Sequence, residues 1–237
     1  MKVIIFGSSG MIGKGVLLEC LDHSKIDEVL VINRSSVGIA HPKLKETLHS
    51  DFSNFNSIAD QMAGFDACYF SLGLSAAEIK EADYRRITYD FTLAAARTLY
   101  SGNPVATFIY VSGQGTDSTE KGRVMWARVK GKTENDILKM GFNQAFAFRP
   151  GAIIPLRGVT PSSKMYRMLI TNLTWLIKLV KRLAPNSVVD STQIGLAMIN
   201  ATLLGYEKKI IRPIDLLSLS KIGEQENDEP PLHQTIQ

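Results

Sequence analysis

The 237-residue chain is short of several things that would place it elsewhere. It has two cysteines, Cys20 and Cys68, set within a predicted helix and a predicted strand. That excludes a disulfide framework and reads as small buried hydrophobes in a reducing compartment. It has no long apolar run: the stretch after Lys2 breaks at Gly7, too soon for a signal-peptide core or a membrane span, so a cytoplasmic location is expected. It has no dense basic block. With 27 Lys and Arg against 23 Asp and Glu, the net charge of +4 suits an anionic ligand but not a nucleic-acid partner. No internal repeat, linker or metal site stands out. Apolar residues make up 45% and charged residues 21%, the balance of an ordinary globular core.

What is present is alternation. Apolar runs of strand length at Lys2–Phe6, Glu28–Asn33, 46–50, 66–71, 105–112 and 144–149 are separated by helical patterns. Several runs lack a polar face, as expected of parallel strands covered on both sides. A helix is predicted over 81–100, with Tyr84, Ile87, Phe91, Ala94, Ala95 and Thr98 on one face. This order predicts a doubly wound, right-handed α/β sheet. After Arg149-Pro150-Gly151 the texture changes: Pro155, Gly158 and Pro161 mark loops, and 165–183 reads as helix. Asp190 or Ser191 then caps a helix to Leu204, "KKIIRP" forms a last strand, and 214–221 a short helix. The expectation is one domain over 1–222, with 151–205 as a substrate-side elaboration and a fraying polar tail over 223–237.

The most informative stretch is "VIIFGSSGMIGKG". Gly7, Ser9, Gly10, Met11, Ile12 and Gly13 form a G-x-x-G-x-x-G loop between the first strand and the first helix. In that context the loop predicts a Rossmann-type dinucleotide site. Gly7 permits the tight turn, Gly10 admits the pyrophosphate, and Gly13 brings helix and sheet together. The free N–H groups and positive dipole end of the helix then face the phosphates. About 20 residues further on, where an NAD-preferring site carries a carboxylate for the ribose 2′-OH, the sequence reads Asn33-Arg34-Ser35. A guanidinium can bind a 2′-phosphate that a carboxylate would repel, so NADP(H) is expected ahead of NAD(H). Asp51 and Phe52 follow the third strand, where Asp51 either accepts from the adenine amino group or caps the next helix. Leu72 and Gly73 follow the fourth strand, at the carboxyl edge where open α/β sheets bind ligands.

The loop, "INR", "SLG", "VSGQG", "VKGKTE" and "FRPG" occur in the order found in short-chain dehydrogenases/reductases. Over residues 1 to about 205 the chain most resembles the atypical, NADP-binding branch. That branch includes the Tat-interacting oxidoreductase-like protein and NAD-dependent epimerase-like relatives. The resemblance implies a serine at the end of the fifth strand, matched by Ser112, and a Tyr-x-x-x-Lys pair one helical turn apart. Lys130 matches the lysine, which lowers the phenol pKa and holds the nicotinamide ribose. The tyrosine position is Trp126. An indole N–H donates a hydrogen bond but does not ionise near neutrality, so the usual acid/base is missing. Water, Tyr84, Tyr89 or Tyr166 can stand in, and the sequence selects none. Pro150 and Gly151 match the segment that the family runs past the nicotinamide carboxamide.

Two functions are implied. One is an oxidoreductase or epimerase-like enzyme acting on a small carbonyl or hydroxyl compound. The other is an NADP(H)-sensing module that regulates a partner protein. The basic stretch over 164–184 reads as an amphipathic helix on the core, a substrate-side lid, or a weak peripheral membrane or partner contact; its charges exclude a span.

Overall fold

A computed structural model describes residues 1–76, 79–159 and 187–222. The parallel strands β1 (Lys2–Phe6), β2 (Glu28–Asn33), β3 (Leu44–Leu48), β4 (Ala67–Phe70), β5 (Thr107–Val111), β6 (Gln144–Phe148) and, late in the chain, β9 (Ile210–Ile211) form a seven-stranded sheet in the order β3-β2-β1-β4-β5-β6-β9. The order reverses at β1, between β2 and β4, which is the switch point of a Rossmann-type α/β fold. A separate two-stranded sheet pairs β7 (Ala152–Ile154) with β8 (Val188–Asp190).

The unbroken apolar strands have a simple cause. Val3 and Ile5 point into one buried cluster and Ile4 and Phe6 into the other, on the opposite face of the sheet. The first face is covered by α1 (Met11–Asp22) and by two helices that come late in the chain. The second is covered by α2 (Ala59–Met62), α4 (Phe91–Gly102) and α5 (Met125–Leu138), with the short α3 (Glu81–Arg85) beside α5. The late pair are α6 (Ser191–Leu204) and α7 (Pro213–Ser220). Asp190 starts α6 with a reciprocal cap: its carboxylate accepts the Gln193 backbone N–H, and the Gln193 side chain accepts from Asp190 N–H.

Two expectations change. The third strand lies two residues earlier than expected, at Leu44–Leu48, and is largely exposed; as the sheet edge it pairs only with β2, so burial contributes little to its pattern. The helix expected over 81–100 is interrupted by a π-helical turn at Arg86–Asp90, in which the Phe91 N–H bonds to the Arg86 carbonyl. The extra residue rotates the remaining turns, so Tyr84, Thr88, Thr92, Ala95, Ala96 and Leu99 are buried, while Ile87 and Phe91 are half-buried. The basic stretch over 164–184, including Tyr166, and the tail over 223–237 lie outside the described residues.

Candidate dinucleotide and catalytic site

The glycine loop has the geometry expected of a phosphate cradle. Gly7 has φ +78°, and a Cβ there would lie 2.7 Å from the Leu72 backbone nitrogen. A Cβ on Gly13 would lie 2.2 Å from the Gly7 carbonyl oxygen, so this glycine lets α1 settle onto the loop. Gly10 differs: its backbone is extended (φ −82°, ψ 167°), and a Cβ would meet only the Gly7 oxygen, at 3.3 Å. The space beyond Gly10 is open, in a cleft of about 240 Å³ lined by Gly7, Ser9, Gly10, Arg34, Ser35, Leu72 and Gly73. No side chain caps the N-terminus of α1 and its first turn holds no acid, so its N–H groups are available to an anion. Met11 and Ile12 contribute backbone only, since their side chains pack onto the core. These features fit a dinucleotide pyrophosphate.

Asn33 borders the cleft. It is buried, and its amide donates to Ser8 Oγ over 2.7 Å, bracing the glycine loop from β2. Arg34 and Ser35 are exposed at the mouth. Asp51 does not cap the helical turn that follows it. Its Oδ1 accepts from both the Ser53 N–H and the Ser53 hydroxyl, a local turn that holds its carboxyl below the ordinary value, and the 3-10 turn at Asn56–Ile58 has no side-chain cap. Asp51 still borders a second cavity of about 470 Å³, which shares Arg34, Phe52, Leu72 and Gly73 with the first.

Further along the sheet edge, Lys130 and Trp126, both on α5, line a third cavity with Leu74 and Tyr84. Tyr84 is buried, which raises its phenol pKa and keeps it protonated. Tyr89 is elsewhere, donating to Asp136. Ser112 departs from its expected role. It is buried, its hydroxyl is bonded to Glu134 and the Phe148 carbonyl, and it does not line the Lys130–Trp126 cavity. Glu134, one turn beyond Lys130, is wholly buried and held by both Nε and a terminal nitrogen of Arg149, which also donates to Ser118. The paired charges make this carboxylate tolerable in the core. Glu134 and its partnership with Arg149 were what sequence reasoning missed; the i, i+4 spacing from Lys130 was the available signal. Pro150 and Gly151 form a packed strand exit. The Pro150 carbonyl accepts the Gln114 N–H, and a Cβ on Gly151 would lie 2.4 Å from the Ser187 carbonyl oxygen.

The Lys130 ammonium donates to the Ser112 carbonyl, and burial pushes its pKa down to about 8 against the pull of Glu134. Between pH 8 and the ordinary lysine value of 10.5 the unfolded chain therefore holds more protons, and stability rises with pH through that window. Lys130→Met is expected to stabilise the protein at pH 7 by about 2 kcal/mol, allowing for water in the open cavity. The gain should shrink as pH passes from 8 toward 10.5. Urea unfolding at pH 7, 9 and 10.5 checks this; a variant less stable than the parent at pH 7 would show that the ammonium is not held at a cost.

No protein-family model matches the chain. Among curated proteins it is similar to "Protein FMP52, mitochondrial" of Candida albicans, 26% identical over 158 residues, covering 65% of this chain and 68% of that one. It is also similar to "Protein fmp52-2, mitochondrial" of Aspergillus oryzae, 25% identical over 207 residues and covering 86% and 88% of the two chains. These names overturn the expected cytoplasmic location, which rested on seeing no targeting pattern in the sequence. Among solved structures, a short-chain dehydrogenase/reductase family oxidoreductase from Burkholderia thailandensis superposes with a TM-score of 0.66 at 13% identity, covering 95% of this chain and 96% of that one. The Bordetella bronchiseptica enzyme WbmF, in complex with NAD+, gives 0.66 at 12% identity, covering 96% and 79%. These likenesses establish the Rossmann-type fold. No described helix is long and apolar enough to cross a membrane.

Proposed function

We propose that the chain is an NADP(H)-binding protein of the atypical short-chain dehydrogenase/reductase type, in or near the Tat-interacting oxidoreductase-like branch. It acts on a small carbonyl or hydroxyl compound and resides in mitochondria, as the names of its relatives suggest. One observation carries the reading. The cleft that opens over Gly10 is bordered by an arginine at the end of β2, and no Asp or Glu lines it. The N–H groups of the α1 first turn bind the pyrophosphate, Arg34 and Ser35 bind the 2′-phosphate, and Leu72-Gly73 lies against the adenosine half. Bound this way, the nicotinamide supplies or accepts a hydride. Lys130 places a cation in the neighbouring cavity, where it can hold a ribose hydroxyl or move a proton at its Nζ, because its pKa of about 8 lies near neutrality. Tyr84 brings a protonated phenol to the same cavity.

The cofactor preference is directly testable. NADPH is expected to bind roughly tenfold or more tightly than NADH, since hydrogen bonds to charged groups contribute about 1.5–3 kcal/mol. Arg34→Ala should cut the difference severalfold. Calorimetric titrations giving equal affinities for the parent, or an Arg34→Ala protein that keeps the full preference, would refute the assignment.

A second reading, an NADP(H)-sensing module, is favoured by one specific arrangement. The Ser112 hydroxyl is committed to Glu134, and the tyrosine position is an indole. In that case cofactor binding reports to a partner protein without turnover.

A further inference from the structure

The π turn at Arg86–Asp90 has a consequence for the adenosine end of the cleft. In a regular helix begun at Glu81, Ile87 and Phe91 would follow Tyr84 into the core. The π turn leaves them half-buried at its margin: Arg86, Ile87 and Phe91 all border the cavity that holds Arg34, Asp51 and Phe52. The bond between the Phe91 N–H and the Arg86 carbonyl sets these two residues on one side of the turn. Single π turns interrupting helices occur often at functional sites.

Arg86 differs from its neighbour Arg85. Arg85 lies over the Tyr89 ring, 4.9 Å from its centroid. Arg86 is exposed and has no ion-pair or side-chain hydrogen-bond partner among the described residues, and the same is true of Arg34. Two unpartnered guanidiniums therefore border one cavity, one from the end of β2 and one from the π turn. The carboxylate that shares the cavity, Asp51, is turned onto Ser53 and pairs with neither.

We propose that Arg86 is a second specificity-determining residue, which closes with Arg34 on the 2′-phosphate of NADP(H) from the opposite wall of the cavity. This rests on the dinucleotide reading of the glycine loop and adds a residue that the loop pattern does not contain. Two guanidiniums suit a phosphate dianion because each can present a fork of donors to its oxygens. Ile87 and Phe91 supply the apolar surface against which an adenine ring packs.

The test uses the full chain and two fragments that differ only in the phosphate at issue, 2′,5′-ADP and 5′-AMP, titrated calorimetrically. The parent is expected to favour 2′,5′-ADP by tenfold or more. Arg86→Ala and Arg86→Gln are each expected to weaken 2′,5′-ADP by about tenfold and leave 5′-AMP unchanged, with Arg86→Lys recovering part of the loss. The side chain is exposed and unpartnered, so thermal melts of the free variants should match the parent. If Arg86→Ala and Arg86→Gln discriminate as the parent does, the second guanidinium is refuted and the NADP(H) reading stands. If 5′-AMP and 2′,5′-ADP weaken equally, Arg86 stacks on the adenine and the phosphate role is refuted. If the parent does not discriminate, the NADP(H) reading fails and the proposal fails with it.

Discussion

Gly10→Val is expected to abolish dinucleotide binding, with a loss of about a hundredfold or more, while the free protein melts within a few degrees of the parent. The reason is where the new side chain would go. Gly10 already has an extended backbone that valine adopts without strain, and its Cβ would meet only the Gly7 carbonyl oxygen, at 3.3 Å, which can yield by a few tenths of an ångström. The isopropyl group would then fill the space over the loop that the pyrophosphate needs. Gly13→Val should behave in the opposite way. Its Cβ would lie 2.2 Å from the Gly7 oxygen and 2.6 Å from Ser71 Oγ, inside a packed helix–sheet contact. A loss of about 3 kcal/mol or more is expected, lowering the melting temperature by roughly 6–12 °C even without ligand. Thermal melts with and without NADPH separate the two effects. A Gly10→Val protein that cofactor stabilises like the parent would show that the phosphates sit elsewhere.

Trp126→Tyr is expected to raise reductase activity by roughly 10²–10⁴-fold if proton delivery limits the parent. The indole and Lys130 border one cavity from successive turns of α5, so a phenol at position 126 stands beside a cation that favours its ionisation. The indole reaches toward Gly115, whose Cβ would lie 3.2 Å from Trp126 Cη2, so the smaller ring also leaves room and some packing is lost. With the Lys130 pKa near 8, the cation fades above that pH and the gain should fade with it. Adding Lys130→Met to the tyrosine variant should remove the gain. The assay is NADPH oxidation against a panel of aldehydes, ketones and quinones, with cofactor affinity measured alongside. Background rates in a folded, cofactor-binding variant would count against a dormant reductase and in favour of the sensing module.

The sheet was legible because its strands are buried on both faces. A run such as Val3-Ile4-Ile5-Phe6 feeds two cores at once and leaves no polar face to confuse the reading. The edge strand β3 was misplaced by two residues for the converse reason. The glycine loop was legible because each glycine has a separate steric cause, and those causes recur wherever a backbone must approach a pyrophosphate. Asn33 and Asp51 were harder: both occupy ligand positions by sequence, yet the Asn33 amide donates to Ser8 and one Asp51 oxygen accepts from Ser53.

By itself the sequence determined the alternation of strands and helices, the glycine loop between β1 and α1, the arginine at the end of β2 and the indole one turn before Lys130, because each depends on residues close together in the chain. Only the tertiary structure decided what the polar side chains do. Ser112 lies 22 residues from Glu134 in sequence, and Arg149 lies 15 residues beyond Glu134. Their union in a buried network follows from β5, α5 and β6 packing side by side, and it bonds the serine hydroxyl, which does not line the cavity it was expected to serve. The π turn is of the same kind. One extra residue in a helical turn changes no composition, yet it rotates Arg86, Ile87 and Phe91 from the expected phase onto the wall of the cleft.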